Sequence, residues 1–283
     1  MKVAESDFGA LASQVRRDII RMVHGAKSGH PGGSLGCTEY FVLLYFKYLK
    51  HNPDAFTLDG IGEDIFFLSN GHISPVWYST LARSGYFSIT ELSTFRKLGT
   101  RLQGHPATHE KLPGIRVASG SLGQGLSVAI GAALAKKINH DPNRVFALLG
   151  DGELNEGQIW EAILFAAHHQ IDNIFVTVDW NGQQVDGTTQ DVMNMGNLQA
   201  KWESFGWKVV TCPNGNDFSI LNESFQTVLG AMNQQKPVVL LMQTTMGKGV
   251  DFMEGTHKWH GQPPKDAEAA RALEQLPETF GDY

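Results

Sequence analysis

Three runs in the chain, VFALLG (145–150), NIFVTVD (173–179) and PVVLLMQTT (237–245), are apolar with no polar alternation. A strand with one face in water alternates, and one without alternation is covered on both faces. Helical patterns separate these runs at LGQGLSVAIGAALAKKI (122–138), at 155–169 and near 217–234, with WKVVTC (207–212) as a further strand. Strand and helix in turn predict an α/β fold: a parallel sheet with helices on both faces. Upstream, DIFFLS (64–69) reads as another buried strand. Phe8, Leu11, Ala12, Val15, Ile19, Ile20 and Val23 fall at helical spacing and predict an amphipathic helix over 8–24. Residues 38–50 also read as helix, Pro75 to Leu98 as two helices, 99–122 as an irregular loop and 266–276 as a last helix. With no repeat, low-complexity tract or linker, residues 1–283 are expected to form a single domain.

Composition narrows the class. Hydrophobic residues make up 42% and charged residues 18%, which excludes a disordered chain. A net charge of −6 gives no global attraction to nucleic acid or to an anionic membrane, so neither is expected as a partner. Cys37 and Cys212 make neither a metal-like pair nor a disulfide framework, which favours a reducing, cytoplasmic setting. No apolar run approaches the roughly 20 residues that span a bilayer. The opening MKVAESDFGALASQ has no unbroken apolar core after Lys2 and does not read as a signal peptide. Glycine is the unusual component, 31 of 283 residues against a background of roughly 7%.

The chemistry is expected where the strands end, because ligands of open α/β sheets bind beyond the carboxyl edge. The run at 145–149 leads into Gly150-Asp151-Gly152, and the run at 173–179 leads into Trp180-Asn181-Gly182. Both turns fall at one edge. A carboxylate and an amide oxygen there are hard oxygen ligands, suited to Mg²⁺ or Ca²⁺. A helix start near 155 would offer N–H groups to an anion. Alone, G-D-G is only a tight turn with a capping Asp; the Asn at the end of the next strand raises it to a diphosphate clamp. No G-x-G-x-x-G follows a strand, and there is no Walker loop.

These turns resemble the thiamine diphosphate signature, and GDGELNEGQIWEA (150–162) with VDWNGQQVDG (178–187) resembles the transketolase family in particular. SGHPGGSLG (28–36), LSNGH (68–72), LQGHPATH (102–109), ASGSLGQG (118–125) and EGTHKWHGQPP (254–264) resemble it too, in the family's order. The resemblance implies that Asp151, Asn181 and the carbonyl of Gln183 hold a divalent ion, Mg²⁺ or Ca²⁺, on the diphosphate of thiamine diphosphate. It implies that the Gly152 N–H and His72 contact that diphosphate, and that Ser121 and Leu122 line the cofactor. The family usually has Asn or Asp before the ligand Asn; Trp180 stands there instead, so the packing around Asn181 is in question. Glu156 and Glu161 would belong to a proton-sharing network at a subunit interface, against the plainer reading of exposed helix acids.

The chain has eleven histidines, and His30, His72, His105 and His260 each lie in a Gly- or Pro-rich loop. Imidazole titrates near neutrality and can donate and accept hydrogen bonds. Ketol transfer needs both abilities, to hold sugar hydroxyls and to move protons at a carbonyl oxygen. By resemblance, His105 would contact the donor's terminal hydroxyl, while His30 and His260 handle the neighbouring protons. His257 competes with His260 for its role, and His168 and His169 read as surface residues.

A full transketolase also has a pyrimidine domain, which supplies an essential Glu, and a C-terminal domain. The resemblance covers the diphosphate domain alone. The expectation is therefore an N-terminal subunit of a split transketolase. Its partner would be a C-terminal subunit of roughly 300 residues, the size of two further domains, in an α₂β₂ heterotetramer acting on sugar phosphates. Another thiamine diphosphate enzyme and a non-catalytic thiamine diphosphate-binding regulator are the alternatives.

Overall fold

The computed structural model describes residues 3–283; Met1 and Lys2, including the reading of Lys2 above, lie outside the described residues. The strands are β1 (Ile65–Leu68), β2 (Val145–Gly150), β3 (Ile174–Trp180), β4 (Gln183–Gln184), β5 (Gly187–Thr188), β6 (Lys208–Cys212) and β7 (Val238–Gln243). The α-helices are α1 (Phe8–Ala26), α2 (Pro31–Gly36), α3 (Thr38–Leu43), α4 (Ser74–Ser84), α5 (Gln124–Ile138), α6 (Gly157–His168), α7 (Thr189–Met193), α8 (Leu198–Ser204), α9 (Phe218–Ala231) and α10 (Asp266–Gln275). They fall into two compact units. One holds Thr57–Gly71 with Ser119–Gln243; the other holds the chain up to Phe56 with His72–Ala118 and Thr244–Tyr283.

The first unit is built on a five-stranded sheet in the order β1-β2-β3-β7-β6, all parallel and flanked by helices. The expected α/β class is therefore observed. Strands β2, β3 and β7 are buried almost throughout, which is why their sequences show no alternation. Gly150 pairs with Asp179 in register, so the ends of β2 and β3 are level. Helix α5 packs on β1, β2 and β3, and its small residues permit a close approach. A Cβ on Gly125 would lie 2.5 Å from Ser69 Oγ and 2.7 Å from Ser69 Cα. The helix expected from 155 opens instead as a 3₁₀ turn over Gly152–Asn155, and α6 starts at Gly157. The hairpin β4–β5 and helices α7 and α8 are too short to leave a readable period.

The second unit is helical. Helix α1 buries the apolar positions read from its spacing. On its inner side Asp18, fully buried, accepts from Arg83 Nε at 2.5 Å, from Arg83 Nη2 at 2.8 Å and from Ser79 Oγ at 2.6 Å. The glycine-rich stretch after α1 contains a helix, α2, opened by Pro31 at its first position. The helix expected over 38–50 is α3 followed by a π turn at Leu44–Tyr48. Of the two helices expected between Pro75 and Leu98, only α4 is α-helical. It stops at Gly85 (φ 103°), and Ile89–Thr94 is 3₁₀. There the hydroxyls of Ser93 and Thr94 donate to the carbonyls of Thr90 and Glu91, which competes with regular helix.

Candidate functional site

In the sheet unit the sequence-picked acid and amide meet at the carboxyl edge. Asp151 is 4% exposed. Its Oδ1 accepts from the Gly152 N–H at 2.8 Å and its Oδ2 from the Gly182 N–H at 2.7 Å. That second bond ties the turn after β2 to the turn after β3. Asn181 Nδ2 donates to Asp179 Oδ2 at 2.8 Å, and Asn181 Oδ1 accepts from the Gln183 N–H at 2.9 Å. Burial, reinforced by the charge of Asp179, pushes the Asp151 carboxyl up to about 7. Two neighbouring buried acids are unfavourable until a cation joins them. Among the described residues no group of three His, Cys, Asp or Glu side chains could hold a metal ion, so a cation here would draw on amide and backbone oxygen as well. That donor set suits a hard divalent ion.

Several polar atoms of this unit are buried without hydrogen-bond partners: Asn70 Oδ1, Ser119 Oγ and Gln184 Nε2. Native interiors rarely leave such atoms orphaned, and a polar ligand would satisfy them. Asn70 follows β1 and would be 3.7 Å, through its Nδ2, from a Cβ on Gly150; Gln184 would be 3.0 Å from one on Gly152. The acid that organises the unit is one the sequence reading passed over. Glu153, 2% exposed, accepts from Ser69 Oγ, from the Gly123 N–H at 2.8 Å and from the Gly150 N–H at 3.1 Å. Burial raises its carboxyl above the usual range. Glu156 and Glu161 are exposed in this chain, as is Ser121, and Leu122 is half-buried. Trp180 ends β3 and, with Asp151, Thr189, Asn194 and Leu198, lines a small cavity.

In the helical unit four imidazoles cluster. The ring of His30 lies 5.1 Å from that of His72, 6.2 Å from His105 and 5.7 Å from His260; His72 and His260 are 5.1 Å apart. His30 precedes Pro31 at the start of α2, and its carbonyl accepts from Ser34 Oγ at 2.7 Å. A Cβ on Gly32 would lie 2.8 Å from the Trp259 carbonyl, so glycine there lets the His30 and His260 segments close up. The His105 loop is held by α4: Ser74 Oγ donates to the Gly104 carbonyl and Tyr78 Oη to the Gln103 carbonyl, each at 2.8 Å. His257 is exposed and lies outside the ring contacts, so His260 is the histidine of its motif that joins the cluster. Burial lowers all four imidazoles below their ordinary value; His30, also facing His260, Arg96 and His105, falls to about 4. Neutral imidazoles can accept a proton at one nitrogen while donating from the other. His30 Nδ1 is itself buried without a partner.

The signals that were missed are specific. Asp179 is the polar residue that ends a wholly apolar run, and Asn70 stands in a motif chosen only for its histidine. Both are polar groups at strand carboxyl ends, where a site is expected. Glu153 gives no signal that separates it from Glu156.

A family profile described as "Transketolase, thiamine diphosphate binding domain" matches residues 9–279. One of the two subunits of apulose-4-phosphate transketolase from Phocaeicola vulgatus is 35% identical over 265 residues, which is 94% of this chain and 92% of that protein. The 6-deoxy-6-sulfo-D-fructose transketolase subunit SqwG of a Clostridium species is 38% identical, covering 90% of each. Among solved structures, the transketolase of Campylobacter jejuni matches with a TM-score of 0.88 and 32% identity over 97% of this chain. That match takes in 43% of the Campylobacter chain, so the present chain spans less than half of that relative. On these findings the chain belongs to the transketolase family, as its thiamine diphosphate-binding domain.

Proposed function

We propose that this chain is the cofactor-binding subunit of a two-subunit transketolase. It would act over 1–283 as one thiamine diphosphate-binding domain, moving a two-carbon ketol unit from a ketose to an aldose. The observation that carries the reading is the buried Asp151, beside Asp179 and Asn181, where two strands end together. Asp151, Asn181 and the Gln183 carbonyl are assigned to Mg²⁺, although Ca²⁺ would satisfy the same donors. The Gly152 N–H is assigned to the diphosphate, and Ser121 and Leu122 to the cofactor wall. In the helical unit, His72 is assigned to a cofactor hydrogen bond and His30, His105 and His260 to the sugar's hydroxyl and carbonyl oxygens. Bound thiamine diphosphate supplies the carbon nucleophile, and the chain supplies orientation and electrostatics.

The partner is inferred from relatives of matching length that are themselves named as subunits. An α₂β₂ assembly of sugar phosphate-converting subunits in the cytosol is the form we propose. Among the described residues no helix is long and apolar enough to cross a membrane. Glu161 shares α6 with Leu164, 59% exposed, and Phe165, 44% exposed, which supports a covered face there. The test is a ketol-transfer assay of the chain, of its candidate partner and of the mixture, with pentose phosphate, apulose phosphate and sulfosugar donors. Transfer only by the mixture, with thiamine diphosphate and Mg²⁺ present, is expected. Full turnover by the chain alone, or none by an assembled cofactor-loaded mixture, would reject the proposal.

A further inference from the structure

We propose that Arg96 is a positioning residue for the histidine cluster: its guanidinium clasps the loop of His30 to the loop of His105 and sets a fixed positive charge beside both rings. The functional meaning rests on the transketolase reading; the geometry does not. Arg96 adopts a left-handed backbone, φ 57°, unusual for a long side chain. Its N–H donates to the Leu102 carbonyl at 2.8 Å, which fixes the start of the His105 loop. Its Nη1 donates to Ser28 Oγ at 3.1 Å, in the loop that leads to His30. A Cβ on Gly104, next to His105, would lie 2.4 Å from Arg96 Cζ, so the guanidinium occupies the space a side chain there would need.

The guanidinium has no carboxylate partner among the described residues, and its Nε is buried without a hydrogen bond. The groups facing it are His30, His105, the ring of Phe95 at 5.5 Å, and Tyr78, whose phenol burial keeps protonated. His30 also faces His260 and His105. Nothing near Arg96 therefore neutralises it. A cation without a counter-charge disfavours a second cation nearby. Burial is the larger influence on His30 and His105, but Arg96 acts on both in the same direction. The two imidazoles are thus held neutral, the form that can take a proton from a sugar hydroxyl.

The test is an NMR titration of the full chain labelled at its imidazole nitrogens, comparing wild type with Arg96→Met and Arg96→Lys. In Arg96→Met, His30 and His105 should take up protons about threefold to tenfold more readily. Arg96→Lys should restore most of the wild-type behaviour, and the exposed His109 and His257 should not change. Unchanged titration of His30 and His105 in a folded Arg96→Met chain overturns the proposal. If that variant does not fold, Arg96→Gln gives the same readout with a polar, uncharged side chain. In the assembled enzyme, Arg96→Met should move the acid limb of kcat/KM to higher pH. This arm alone depends on the transketolase reading: a wild-type complex with no ketol transfer would sink that reading and leave the titration to decide on Arg96.

Discussion

Asp151 is a buried acid next to a second acid, and its neutrality or its pairing decides what the sheet edge can do. Backbone N–H groups from two turns satisfy part of its charge, and the neighbouring Asp179 works against it. The histidines follow the opposite logic, being rings that burial keeps uncharged so that they can move protons. His105 is the most accessible of the four, which suits contact with substrate more than with cofactor. His105→Ala in the assembled enzyme should therefore slow turnover roughly 10²- to 10⁴-fold, the range of a lost acid–base group, while thiamine diphosphate stays bound. Loss of cofactor from a folded variant, seen by equilibrium binding, would put His105 elsewhere in the site. The residues were legible to the degree that each stood in a motif with its own chemistry. Asp151, Asn181 and the four loop histidines did. Glu153 did not, because an acid's burial is set by tertiary packing and Glu156 lies only three residues away.

At the scale of elements, periodicity was enough for long or fully buried segments and failed for short ones. The strands β1, β2, β3, β6 and β7 and the helices α1, α5, α9 and α10 lie close to their expected positions. The segment from Pro75 to Leu98 misled because hydroxyl groups after Gly85 bond locally and hold a 3₁₀ turn. The packing of α5 on the sheet is a further consequence of composition, since glycine at 125 leaves room for Ser69. Gly125→Ala should destabilise the protein by about 1–3 kcal/mol, the usual cost of overpacking. Denaturant unfolding checks this, and an unchanged midpoint would mean that α5 can shift without cost.

At the scale of the molecule, nothing in composition marks the boundaries at Phe56, Gly71, Ala118 and Gln243. Units assembled from separate chain segments need no linkers. The acid response of the whole chain does follow from particular groups. Burial, then its charged neighbours, lowers His30 from 6.5 to about 4. Between those values the unfolded chain binds a proton that the folded chain refuses, so stability falls as pH drops from about 6.5 towards 4. Asp282 adds a later loss. A hydrogen bond from Arg17 holds it at about 2, below its ordinary 3.8, so its contribution is present above 3.8 and disappears as pH falls towards 2. Thermal unfolding across this range should show the midpoint declining from about pH 6.5 downwards. A flat midpoint between pH 7 and 4 would show that the histidines are not buried as neutral rings.

The central claim is that the turns after β2 and β3 grip a divalent cation that carries thiamine diphosphate. Equilibrium binding of thiamine diphosphate to the assembled complex, with and without Mg²⁺, in wild type and in Asp151→Ala, tests it most directly. The account predicts tight, Mg²⁺-dependent binding by wild type and loss of that dependence, with binding itself, in the variant. Wild-type affinity in a folded Asp151→Ala complex would contradict it.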